Sequence, residues 1–85
     1  MTRLPALTYR EVIQHLRAAG FVFDRQAKGS HEIWYNSQSR RRVTVPHHPG
    51  VLPRGTLRAI IHETGLTVEA FLGEQKEDIS PSQPT

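Results

Sequence analysis

The chain has 85 residues, enough for one domain with a small core, and no cysteine, which excludes disulfides, thiolate metal sites and a cysteine nucleophile. No apolar run is long enough to span a membrane or serve as a signal peptide, so a cytoplasmic location is the expectation. The net charge of +3 is unevenly spread: residues 1–73 hold ten of the eleven Lys and Arg but only five of the eight Asp and Glu.

Residues 8–19 predict a helix. Thr8 and Glu11 have the spacing of a capping box, Tyr9, Val12, Ile13, Leu16 and Ala19 share one face, and Gly20 stands where a left-handed cap ends such a helix. Residues 21–26 predict a strand, with Phe21 and Phe23 on one face and Asp24 and Gln26 on the other. A short turn at 27–29 leads to a second strand, Ser30–Tyr35. A polar turn at 36–40 then leads to a third strand, Arg41–Pro46. Such short connections fit an antiparallel meander.

Residues 47–52 form a loop broken by Pro49 and Gly50. Pro53 suits the first turn of a second helix, whose buried face is Leu57, Ile60, Ile61 and Thr64 and whose end is Gly65. Thr67 caps a short final helix carrying Val68, Phe71 and Leu72. The expected class is α+β: a three-stranded antiparallel sheet covered on one face by two helices, in a single domain spanning 1–73. Residues 74–85, EQKEDISPSQPT, read as a disordered tail.

A basic domain points to a polyanionic partner: nucleic acid, an acidic protein or a membrane surface. Within it, His31 follows Lys28, Gly29 and Ser30 at the start of the second strand. RNA suits such sparse equipment, because its own 2′-OH can attack the adjacent phosphate. The protein need supply only a base near that hydroxyl and positive charge near the phosphate. A lone histidine at a strand end is more often an ordinary surface or hydrogen-bonded residue.

Side-chain alternation adds a constraint. His31, Ile33 and Tyr35 share one face of the second strand; Ser30, Glu32 and Trp34 share the other. If Ile33 faces the core, His31 leans the same way and stays accessible only near the strand end. Trp34 is either a core residue or a stacking platform for a base.

Arg40, Arg41 and Arg42, with Arg25 and Lys28, are candidates for a phosphate-binding patch or for solvated charges that discourage edge pairing. Arg54, Arg58 and His62 form one stripe on the second helix. Arg54 in the first turn opposes the helix dipole. His47 and His48 are adjacent in extended chain and point apart, which is a poor chelate.

Four stretches occur together and in order: L-x-x-A-G-F at 16–21, K-G-S-H-E-I-W at 28–34, R-R-V-T-V-P at 41–46, and G-T-L-R-A-I-I-H-E-T-G-L-T-V-E-A-F-L at 55–72. In these the chain resembles the HicA (YcfA-like) family of toxin ribonucleases. The resemblance implies a fold like a double-stranded-RNA-binding domain, α-β-β-β-α. It also implies a ribosome-independent mRNA endonuclease held in check by a HicB-type antitoxin. The family's catalytic histidine falls on His31, and Gly29 and Ser30 match its flanking motif.

Lys28, Arg25 and Arg42 are expected to join Gly29 and Ser30 in contacting RNA. That expectation comes from charge and position, not from the family motif. No metal, small-molecule cofactor or membrane is expected to take part. Two rival readings use the same features: a non-catalytic RNA-binding module of this fold, and a basic protein-interaction domain.

Overall fold

The computed structural model describes residues 3–74. The first helix, α1 (Tyr9–Ala18), starts at the expected capping box: Glu11 N–H donates to Thr8 Oγ1 at 3.2 Å, and Thr8 N–H donates to Glu11 Oε1 at 2.9 Å. It buries Val12, Ile13 and Leu16. At its end, Gly20 takes φ +97°, its N–H donates to the Arg17 carbonyl, and Phe21 N–H donates to the Leu16 carbonyl. This paired closure needs a left-handed residue at Gly20. It turns the chain so that Phe21 enters the core at 2 % exposure.

Three antiparallel strands follow in spatial order β1 (Val22–Gln26), β2 (His31–Asn36) and β3 (Arg41–Pro46). Val22 pairs with Tyr35 and Phe23 with Trp34, but Arg25 pairs with Ile33. Asp24 is therefore an extra residue on β1, a bulge that bends this edge strand. Between β2 and β3 the register is unbroken from His31↔Pro46 to Asn36↔Arg41. The connecting turn is tied by Asn36, whose Oδ1 accepts the N–H groups of Gln38 and Ser39.

Helix α2 (Arg54–Thr64) lies against β3, and the short α3 (Val68–Leu72) packs on both α1 and α2. Pro53 is the N-cap of α2, one position before the first-turn place expected for it, and it supplies no side-chain acceptor. Thr67 caps α3 through the Ala70 N–H. Part of the tail expected from residue 74 is described: Glu74 N–H closes α3 on the Glu69 carbonyl. The remainder, 75–85, lies outside the described residues.

The core sits between the helices and one sheet face. Trp34, Val43 and Val45 meet Val12, Leu16, Leu57, Ile60 and Phe71 there, each at most 2 % exposed. Which residues of β2 face this core differs from the conditional reading that put Ile33 inward. Trp34 is inward and Ile33 is half-buried on the opposite face. The reason is cross-strand matching: Trp34 sits opposite Val43, and Glu32 opposite Val45. Pointing that set inward buries an indole and two valines, more apolar area than Ile33 and Thr44 offer. Phe23 shares the inward face but lies at its margin, 49 % exposed, with its ring edge-on to Trp34 at 5.9 Å.

Candidate functional site

Inward placement of Trp34 sends the alternate residues of the sheet to the opposite face, which no described element covers. Side chains directly opposite in a sheet share a face. The pairs Val22–Tyr35, Tyr35–Arg42, Arg25–Ile33, Ile33–Thr44 and His31–Pro46 therefore define that surface. His31, Arg25 and Arg42 are brought to one side of the molecule, away from the helices.

His31 is exposed, and no described residue hydrogen-bonds its ring nitrogens. Its backbone is well held: the carbonyl accepts from Ala27 N–H at 2.7 Å and from Gln26 Nε2 at 3.3 Å. The turn before it carries Lys28, Gly29 and Ser30, all exposed. Gly29 takes φ +68°, with no atom within 4 Å of where a Cβ would stand. A ligand can therefore approach the backbone closely beside His31.

The arginines separate. Arg25 is two strand positions from His31 by pairing, about 7 Å along the sheet. Its guanidinium is already paired with Asp24 at 2.8 Å. Arg42 is four positions away, about 13 Å, and lies over the Tyr35 ring, 4.7 Å from the centroid. Arg41 turns to the helix side, where it donates to the Glu63 carbonyl at 3.4 Å. Arg40 occupies the turn with φ +62°. Only Arg42 of this run joins the open face. The stripe on α2 stands apart as well: Arg54 donates to the Leu4 carbonyl at 3.4 Å, and Arg58 and His62 line a groove between α2 and α3.

Behind the site, on the helix side, is a set of contacts that sequence reading missed. Tyr9 Oη donates to Glu32 Oε1 at 2.5 Å, and Trp34 Nε1 donates to the same oxygen at 3.1 Å. The His47 ring packs on Tyr9 with centroids 4.4 Å apart. His47 N–H donates to the Ser30 carbonyl at 2.9 Å. Burial, together with the Glu32 carboxylate, pushes the Tyr9 hydroxyl up to about 12. These contacts fix the Ser30–Glu32 segment from the side opposite the His31 ring. Glu32 and Trp34 at i, i+2 were the available signal; the second donor to Glu32, Tyr9 on α1, is a tertiary contact.

A model of the family described as the HicA toxin of bacterial toxin–antitoxin systems matches residues 9–66. That match runs from the first residue of α1 through β2 and its His31 to the turn after α2. The chain belongs to the HicA toxin family. No curated protein matches it.

Membership gives the protein a toxin role, nuclease-type activity as its class of chemistry, and an antitoxin as its partner. The α-β-β-β-α order with a short C-terminal helix is the architecture expected for such a domain. Among the described residues, no helix is long and apolar enough to cross a membrane.

Proposed function

We propose that this HicA protein is a ribosome-independent endoribonuclease that cleaves mRNA with His31 as general base. The observation that carries the reading is an imidazole on the sheet face opposite the helices, its ring hydrogen-bonded to no described residue, beside the open Gly29 turn and the Lys28 cation.

His31 takes the proton of a ribose 2′-OH. The 2′ oxygen forms a bond to the adjacent phosphorus, and the bond from phosphorus to the 5′ oxygen breaks. That oxygen leaves with a proton from water or from the same imidazole, giving a 2′,3′-cyclic phosphate and a 5′-OH. Lys28, with Arg25 once its Asp24 pairing yields to phosphate, offsets the charge that builds on the phosphorus oxygens. The Gly29 and Ser30 backbone lets the strand lie close, and Arg42 holds it farther along the sheet. The nucleophile belongs to the substrate, so no metal is required. A HicB-type antitoxin inhibits by covering His31 and the basic residues around it.

Expression of wild type and His31→Ala, followed by growth and bulk mRNA integrity, tests the assignment. The variant is expected to lose cleavage by about a hundred-fold or more, the usual scale for removing a general base. Cleavage by the purified wild type continues in EDTA and leaves cyclic phosphate ends. Equal mRNA loss with His31→Ala, or fragments ending in a 3′-OH, rules the mechanism out.

A further inference from the structure

Between α1 and the helix-side face of β2 lies a groove of about 410 Å³, lined by Tyr9, Arg10, Gln14, Arg17, Trp34 and His47. It is adjacent to the His31 site but on the other side of the sheet. His47 follows Pro46, the cross-strand partner of His31, and its N–H holds the Ser30 carbonyl.

The chemistry of the groove is specific. Arg10 and Arg17 are exposed on α1, and neither is ion-paired with a described residue. The Arg17 guanidinium lies 5.4 Å from the Trp34 ring centroid. The exposed His47 ring, backed by Tyr9, forms a second aromatic wall. Glu32, the carboxylate bonded to this lining, is occupied by Tyr9 and Trp34. Glu11, the acid of α1, is used in the cap. Cations for a phosphate, an imidazole face for a base and the Gln14 amide for a base edge make a suitable set for single-stranded RNA.

We propose that this groove is a second RNA subsite, which takes a nucleotide flanking the cleaved bond by stacking its base on His47 and pairing its phosphate with Arg10 and Arg17. The strand crosses from the open face to the helix side over the Gly29–Ser30 turn, where Gly29 leaves the path clear. The inference rests on RNA being the substrate of the His31 site. It adds that the bound strand touches both sides of the sheet.

The test measures binding of a single-stranded 2′-O-methyl RNA, which has no attacking hydroxyl and so stays intact, across a range of salt. Arg10→Ala and Arg17→Ala are each expected to weaken binding about five-fold and to flatten the logarithmic salt slope by about 0.7. Arg58→Ala, which removes an exposed cation from α2, leaves both unchanged. Equal losses in all three variants mean diffuse charge and overturn the subsite. So does unchanged RNA binding accompanied by weaker antitoxin binding, which assigns the groove to the protein partner. Failure of wild type to cleave natural RNA would retire the His31 chemistry while this binding test still decides the groove.

Discussion

Glu32 Oε1 serves two donors, Tyr9 Oη and Trp34 Nε1, at the point where α1 meets β2. Removing one donor leaves the carboxylate under-satisfied in a half-buried place, so Tyr9→Phe is expected to cost about 1–2 kcal/mol. The pH dependence carries the clearer signature. The Tyr9 hydroxyl sits at about 12 in the fold against an ordinary value of 10.0. The folded protein therefore holds this proton more tightly than the unfolded chain. That contribution is fully present below pH 10 and is lost as pH rises through 12. The stability difference between wild type and Tyr9→Phe should shrink across this window in denaturant unfolding at stepped pH. A constant difference would mean that burial and Glu32 together do not raise the Tyr9 hydroxyl.

The termini of the helices are where local sequence has most control. The capping box at Thr8 and Glu11 and the Gly20 closure set both ends of α1, and Thr67 with Gly73 does the same for α3. Helix α2 is the exception at its start, with Pro53 before it and Arg54 in its first turn. It relies on its packing against β3 and on Gly65, whose φ of +79° ends it. A Cβ at Gly65 would come within 2.9 Å of Arg41 side-chain atoms. Gly65→Ala thus combines left-handed strain with displacement of Arg41, at a cost of about 1–2 kcal/mol. A fall in the melting temperature is the expected readout. No change would mean that the end of α2 relaxes freely.

Over the whole molecule, the helices claim one sheet face, and no described element covers the other. Residues 1–73 carry most of the positive charge of the chain, and Arg25, Arg42, Lys28 and His31 fall on the uncovered side or the turn at its edge. An antitoxin that inhibits by occlusion must cover this side. Modification of His31 by an acylating reagent should therefore be fast in the free toxin and slow by about ten-fold or more in the complex, for a ring buried by a specific interface. An equal rate in both would place the antitoxin elsewhere. Because the surface is basic, raising the salt should also weaken association.

The sequence by itself determined the order of the elements and most helix ends, the start of α2 excepted, since capping pairs, left-handed glycines and apolar spacing act between residues close along the chain. The K-G-S-H stretch and the family resemblance single out His31 as a candidate without reference to the fold. Which face of β2 turns inward was decided only in three dimensions, because Trp34 gains its burial from Val43 on another strand and from the helices above. That choice exposes His31, scatters Arg40, Arg41 and Arg42, and creates the Tyr9–Glu32–His47 contacts. All three depend on register and packing between distant segments, for which alternation along one strand offers two equivalent answers.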